Sequence, residues 1–290
     1  MEPATQLRRL LEDPGILVLP GVYDALSARL AEQVGFAALF TSGFGIAASS
    51  LGLPDYGLMT MTESLERVRR IVQAVSRPVV ADCDTGYGNP LNVMRTVHEC
   101  LAIGVAGIIL EDQEWPKKCG HMQAKRVIPL AEQVEKIKAA VQARGERDLV
   151  LIGRTDAREP LGIEEALRRG KAFAEAGADV VFIEAPQSVD ELRLISREIK
   201  APTFANMIEG GKTPLLSREE LRDLGFKIVV FPLSSLFAAA WAMRAVLQRL
   251  KETGSTQGFN DLADFHAFEE LMRVPHYRAL EQQFRVDGAA

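Results

Sequence analysis

Residues 149–185 read LVLIGRTDAREPLGIEEALRRGKAFAEAGADVVFIEA. An apolar run ends in Arg154-Thr155-Asp156, an amphipathic stretch follows from Ile163 to Glu175, Gly177 stops it, and a second apolar run, DVVFIEA, begins at Asp179. Short continuous apolar runs suit parallel strands covered on both faces, and three- and four-residue apolar steps between them suit a helix. This strand, helix and strand form one βαβ unit, and the same pattern recurs along the chain. The other runs are ILVLPG (16–21), AALFTS (37–42), PVVADCD (78–84), AGIILED (106–112), PTFANM (202–207) and KIVVFPL (227–233), making eight in all. Helical stretches include LAEQVEKIKAAV (130–141) and SREELRDL (217–224), the latter opened by a capping box of Ser217 and Glu220. Gly104, Gly177 and Gly225 fall where helices should stop. From Ile16 to Lys227 the repeat is roughly 30 residues, the size of a right-handed βα crossover. Eight such units predict a (β/α)₈ barrel. The alternative, a doubly wound open sheet, needs a GxGxxG turn after its first strand, and PGVYDALSARL (20–30) has none.

The chain of 290 residues reads as one barrel domain over 1–290, with residues 244–290 a helical appendage (AVLQRLKE, FHAFEELM and HYRALEQQF, with a polar link at 253–257). Hydrophobic residues are 47% and charged residues 25%, which excludes disorder as the dominant state. The formal net charge of -5, with no block of like charges, argues against nucleic acid and anionic membranes as partners. Two uncharged stretches, 33–54 and 228–243, are too polar or too short to span a bilayer. The opening MEPATQLRRLLEDPG carries no secretory pattern, so a cytoplasmic location is the expectation. Cys83, Cys100 and Cys119 are too few for a disulfide framework and are expected as thiols. Cys83 and Cys100 read as packing residues.

In such a barrel the chemistry lies where strands end at the carboxyl-terminal face. This rim is loaded with Thr41-Ser42-Gly43, Asp82-Cys83-Asp84, Glu111-Asp112-Gln113, Arg154-Thr155-Asp156, Glu184 and Asn206. Asp82 and Asp84 alternate along a strand and should share a face, with Glu111 on the neighbouring strand. Three carboxylates converging with no lysine among them predict a hard cation, Mg²⁺ or Mn²⁺. Helix N-capping by Asp84 or Asp156 would account for one or two of these acids but not all. Arg154 offers a planar fork to a carboxylate or phosphate, or an ion pair to Glu184. The segment WPKKCGHMQAKRVIP (115–129) gathers Lys117, Lys118, Cys119 and His121 without apolar periodicity, and cationic neighbours should lower the thiol's pKa. One Cys and one His do not make a zinc site.

The motifs TSGFG (41–45), LPDYG (53–57), ADCDTGYGN (81–89), EDQ (111–113), PKKCGH (116–121), GRTDA (153–157), EAP (184–186) and ANMIEGGKTP (205–214) together resemble the isocitrate lyase and phosphoenolpyruvate mutase superfamily, over about Gly15 to Met243. The resemblance implies a (β/α)₈ barrel whose last helix is exchanged between two subunits, assembling as a homotetramer. It further implies that Asp82 binds Mg²⁺ directly while Asp55, Asp84 and Glu111 hold metal-bound waters. Ser42 and Gly43 match the cradle for a 2-oxo-acid end and Arg154 its carboxylate contact. Asn206 and Thr213 match contacts to a second carboxylate. The KKCGH segment matches the gating loop of the carbon–carbon lyases, with Cys119 as acid/base and Gly120 lining the substrate. Phosphonate mutases carry Asn-Ser where this chain has Cys119-Gly120. The chain is short for an isocitrate lyase, so it resembles the branch that cleaves methylisocitrate or dimethylmalate, hydrolyses or decarboxylates oxaloacetate, or acts as a carboxyvinyl-carboxyphosphonate phosphorylmutase. Methylisocitrate lyases usually have Ser-Gly-Gly-Gly where Ser42-Gly43-Phe44-Gly45 stands, and NMIEGGKTP lies closer to the other members. The implied activity is Mg²⁺-dependent cleavage of a 2-hydroxy di- or tricarboxylate to a 2-oxo acid and a second carboxylate. Cys119 would be the acid, and Glu184 or a metal-held water near Tyr23 and Asp84 the base. Lys117 and His121 would lower the thiol's pKa and bind the distal carboxylate. The alternative outside enzymes is a silent oligomeric scaffold.

Overall fold

A computed structural model describes residues 1–285 of the chain, which divides into two compact units, Met1–Phe237 and Ala238–Ala290. In the first, eight parallel strands close in sequence order: β1 (Leu17–Val22), β2 (Leu39–Thr41), β3 (Val79–Asp82), β4 (Gly107–Glu111), β5 (Val150–Thr155), β6 (Val180–Ile183), β7 (Thr203–Asn206) and β8 (Ile228–Phe231). β8 returns to β1 with Leu17 opposite Ile228 and Pro20 opposite Phe231. All eight apolar runs are therefore strands, and the barrel is shown.

Alternation along each strand builds two layers. Leu17, Leu19, Val80, Ile109, Val150, Ile152, Phe182 and Phe204 fill the interior, while Ala81, Cys83, Ile108, Leu110 and Leu151 pack outward against helices. Helix α1 (Pro3–Glu12) precedes the barrel and sends Leu7, fully buried, into the interior cluster beside Gly107 at the start of β4. That closes the amino-terminal end.

Between the strands run α2 (Ala25–Val34), α3 (Gly43–Leu51), α4 (Met61–Ala74), α5 (Pro90–Ile103), α6 (Leu130–Arg144), the short α7 (Arg158–Leu161), α8 (Ile163–Glu175), α9 (Val189–Glu198) and α10 (Arg218–Leu224). Their ends follow the expected chemistry. The Ser217–Glu220 capping box opens α10, and Gly104 and Gly225 end α5 and α10 in left-handed conformation. α8 ends one residue earlier, on Ala176, with Gly177 next at φ 104.

α11 (Ser234–Thr253) leads into the second unit, which also holds α12 (Phe265–Leu271) and α13 (Val274–Gln283). Residues 286–290 lie outside the described residues. Among those described, no helix is long and apolar enough to cross a membrane.

Candidate active site

At the carboxyl ends of the strands lies a cavity of about 470 Å³, open mouth included, lined on its polar side by Asp55, Asp82, Lys117, Cys119, His121 and Arg154. Phe44, Ile208, Pro232 and Leu233 form its apolar wall. Most strands are shorter than their apolar runs, and the residues just past their carboxyl ends build this rim.

Asp82 ends β3. Its Oδ2 accepts Gly43 N–H at 3.3 Å and its Oδ1 accepts Asp84 N–H at 3.1 Å. Asp84 lies beyond the strand at φ 47, so it joins Asp82 by a left-handed turn and not by the strand alternation that the sequence suggested. Neither aspartate caps the next helix, since that role belongs to Asn89.

Lys117 corrects the expectation that no lysine enters the acid cluster. Its Nζ lies 2.7 Å from Asp55 Oδ1 and 2.6 Å from Asp84 Oδ1, and the residue is 4% exposed. Sequence separation hid this contact: the loop after β4 folds back over β3. Burial pushes the Asp84 carboxyl up to about 6 against the opposing pull of Lys117, helped by Asp82 and Asp55. Glu111, at the end of β4, is raised well above the usual range by burial, and its Oε1 is buried without a partner.

The same pairing changes the reading of Cys119. With Lys117 committed to aspartates, burial dominates and pushes the thiol up to about 11, with Asp55 and Glu184 adding to the rise. Lys117 and the His121 backbone pull it down as expected, but burial outweighs them and the net shift is upward. That direction favours the thiol over the thiolate. Lys117 does not stand free for a distal carboxylate.

His121 is hydrogen-bonded through Nδ1, and its Nε2 lies against Glu184 without a hydrogen bond. Nδ1 accepts Lys212 N–H at 2.9 Å, which places the proton on Nε2, 2.8 Å from Glu184 Oε1. Glu184 is fully buried and accepts Asn206 Nδ2 at 3.1 and 3.2 Å. Burial alone would raise its carboxyl, but Arg154 and His121 hold it below the ordinary value.

Arg154 donates to Asp156 through Nε at 2.8 Å and Nη2 at 3.0 Å, with Glu111 at 3.4 Å and Glu184 at 3.8 Å. Its main partner is thus Asp156 and not Glu184, and Asp156 is no helix cap. Despite full burial, Arg154 and Lys125 keep the Asp156 carboxyl well below the usual range. Asp112 turns away from the cavity, accepting Thr155 Oγ1 at 2.7 Å, Asp156 N–H at 2.9 Å and Arg169 Nη1 at 2.9 Å.

Ser42 caps α3 by accepting Gly45 N–H, and Gly43 lies against Asp82. A Cβ on Gly120 would lie 2.4 Å from Arg154 Nη2 and 2.5 Å from Glu184 Cγ, so only glycine lets the loop approach this closely. Thr213 is buried with Oγ1 unpartnered. Tyr23 packs on the core cluster beside Gly45. Sequence reading missed Lys125, Asp156 as the partner of Arg154, and the Lys212 contact to His121. Lys125 with Asp156 and His121 with Lys212 pair across the fold from far apart in the chain, where spacing carries no signal, whereas Arg154 and Asp156 stand two residues apart at the end of β5.

Four carboxylates, one lysine already paired to two of them, and an arginine held by Asp156 leave negative charge and a partnerless Glu111 oxygen at the rim. That donor set suits a hard cation in kind. Among the described residues, however, no three His, Cys, Asp or Glu side chains close on one point. The Lys117 ammonium stands among the acids instead.

The family model described as phosphoenolpyruvate phosphomutase matches residues 7–251, nearly the whole barrel and its rim. The chain belongs to this family. Among curated relatives it is 47% identical to the petal death protein of Dianthus caryophyllus, over 97% of this chain and 89% of that one. It is 46% identical to the 2,3-dimethylmalate lyase of Eubacterium barkeri, over 98% and 99%. Among solved structures it superposes on a crystal structure of 2,3-dimethylmalate lyase, a PEP mutase/isocitrate lyase superfamily member, with TM-score 0.93, 38% identity and coverage of 100% and 99%. Oxaloacetate acetylhydrolase in complex with 3,3-difluorooxalacetate matches at TM-score 0.92 and 36% identity, over 97% of each chain. Phosphonopyruvate hydrolase in complex with oxalate and Mg²⁺ matches at TM-score 0.88 and 32% identity, over 98% and 99%.

Proposed function

We propose that this family member is a carbon–carbon lyase that cleaves a 2-hydroxy di- or tricarboxylate of the 2,3-dimethylmalate or 2-methylisocitrate type into a 2-oxo acid such as pyruvate and a second carboxylate. The observation that carries the reading is the Cys119 thiol lining the same cavity as Asp82 and Arg154. Full-length similarity to 2,3-dimethylmalate lyase supports it.

In this reading the 2-oxo-acid half lies against Ser42 and Gly43, with its carboxylate on Arg154. The hydroxyl proton leaves, the carbon–carbon bond breaks, and its electron pair stays on the carbon beside the second carboxylate. Cys119 then donates its proton to that carbon. A water near Tyr23 and Asp84 would take up the hydroxyl proton. Glu184, held ionised and engaged by His121 and Asn206, serves to orient and not to take the proton. Asn206 and Thr213 would face the second carboxylate.

Mg²⁺ would be held by Asp82, with Asp84, Asp55 and Glu111 around it, and would stabilise the developing negative charge on the 2-oxo acid. The Mg²⁺ complex of the structurally similar hydrolase supports this assignment. The reading includes a cytoplasmic homotetramer. Phe44, Pro232 and Leu233 favour alkyl-bearing dicarboxylates over a third carboxylate, which places dimethylmalate-type acids first.

The test is an NMR screen for 2-oxo-acid formation, with and without Mg²⁺, from 2,3-dimethylmalate, 2-methylisocitrate and oxaloacetate, repeated with Asp82→Ala. Mg²⁺-dependent pyruvate from an alkylated malate, abolished in a folded Asp82→Ala protein, supports the lyase. Oxalate and acetate from oxaloacetate alone would move the assignment to a hydrolase. Full turnover by Asp82→Ala in chelator would remove the metal from the reading.

A further inference from the structure

We infer that Lys125 is a positioning residue that couples the Cys119–His121 segment to Arg154 through the carboxylate of Asp156. The inference rests on the lyase reading for what the coupling serves. Its structural part stands apart from that reading.

The Lys125 side chain is completely buried and its Nζ has two acceptors, the Gly120 carbonyl and, at 2.9 Å, Asp156 Oδ1. The same Oδ1 accepts Arg154 Nη2 at 3.0 Å, while Oδ2 accepts Arg154 Nε at 2.8 Å. One carboxylate is therefore shared between a loop lysine and the arginine of the site. Burial by itself would discharge Lys125, but Asp156 and Glu184 keep it protonated.

Two consequences follow from charge and geometry. Asp156 fixes Arg154 along its Nε–Nη2 edge and is shared with Lys125, while Glu111 at 3.4 Å and Glu184 at 3.8 Å also face the guanidinium. Its Nη1 takes no protein acceptor among the described residues, so attraction for an incoming carboxylate survives. In addition, the Gly120 carbonyl is tied to the group that aligns Arg154, so Cys119 and His121, on either side of Gly120, move in register with it. A buried ammonium is stable only when paired, which makes this arrangement close to all-or-none.

The loop has other fastenings: Lys117 pairs with Asp55 and Asp84, Cys119 N–H donates to the Asp55 carbonyl, and His121 lies against Glu184, itself 3.8 Å from Arg154. The Gln113 side chain holds Lys118 N–H and C=O at 3.0 and 2.8 Å. Lys212 holds Met122 C=O through Nζ at 3.2 Å and His121 Nδ1 through its backbone N–H. Among the described residues, Lys125 is the loop side chain that bonds Asp156, the carboxylate that both Arg154 hydrogen bonds reach.

The test compares wild type with Lys125→Met, Lys125→Arg and Lys212→Met. Lys212→Met loosens the loop but leaves Asp156 untouched. Calorimetry with oxalate in saturating Mg²⁺ reads the carboxylate site without requiring turnover, and crystal structures of wild type and Lys125→Met read the geometry without any ligand. The expected result is at least a tenfold loss of oxalate affinity in Lys125→Met, partial recovery in Lys125→Arg, and a change within twofold in Lys212→Met. The Lys125→Met crystal should show Arg154 and the Gly120 carbonyl displaced. Equal losses in the Met variants at 125 and 212 would reduce Lys125 to a loop fastener and overturn the inference, as would an unmoved Arg154. Should Lys125→Met not fold, Lys125→Arg decides by the same readouts, because displacing the shared carboxylate must alter oxalate affinity. Wild type that fails to bind oxalate sinks the lyase reading instead, and the crystal comparison then decides the role of Lys125.

Discussion

Cys119 and Gly120 are adjacent residues with separate demands. The thiol must hold a proton until a carbanion forms, and burial provides this by pushing it up to about 11. Cys119→Ser should therefore lose about 10²-fold or more in kcat with little change in KM, because a hydroxyl is a far weaker acid while the binding groups remain. Steady-state kinetics on the acid found by the substrate screen check this, and a serine variant within threefold of wild type would take Cys119 out of the chemistry. The sign of the shift is also testable. Only thiolate alkylates, so the rate of Cys119 modification by iodoacetamide should be slow at pH 7 and keep rising roughly tenfold per pH unit toward about 11, with no plateau near 8.5. Gly120→Ala places a methyl group 2.4 Å from Arg154 Nη2. A displacement of that kind should cost about 10² in kcat/KM with a normal thermal transition.

At the scale of elements, the barrel's rim is anchored by ion pairs between consecutive units. Arg158 of α7 grips Glu191 of α9 with Nε at 2.9 Å and Nη2 at 2.5 Å, and Glu191 also accepts Gln187 N–H at 2.7 Å. Partial burial alone would raise the Glu191 carboxyl, but these donors hold it below the ordinary value. A carboxyl lowered in the folded state adds stability above its unfolded pKa of about 4.3 and loses it as pH falls through the folded value. Glu191→Gln should lower Tm at pH 7 by a few degrees, from a loss of about 1.5–3 kcal/mol at roughly 2–4 °C per kcal/mol. The gap from wild type should shrink as pH drops below about 4. Calorimetric melts at pH 7 and pH 3.5 measure it, and an equal gap at both would show that Glu191 acts by packing and not by charge.

The whole molecule carries more apolar surface than a solitary chain needs. In the second unit Trp241 is 74% exposed, Phe265 82% and Phe284 72%, with Met243, Leu247 and Tyr277 also exposed. Apolar surface of this extent marks an interface. Light scattering should return a multiple of the 31.8 kDa chain mass at micromolar concentration, with a tetramer as the expected species. Trp241→Glu should shift it toward smaller species. A monomer in the wild type would refute the assembly.

Local chemistry wrote much of this protein into its sequence. Eight apolar runs became eight strands, Ser217 and Glu220 became a capping box, and the acids at the ends of β3 and β4 came to a common rim, because periodicity and capping depend on neighbours within a few residues. The partners of charged groups were not legible. Lys117 reaches back 62 and 33 residues to Asp55 and Asp84. Lys125 meets Asp156 across 31 residues, and Arg169 meets Asp112 across 57. Those partners were chosen by the closed barrel, which also buries Cys119 and brings Lys125 to the carboxylate that holds Arg154. Burial removes the water that would otherwise satisfy each charge, so every one must pair with whatever the tertiary fold brings within reach.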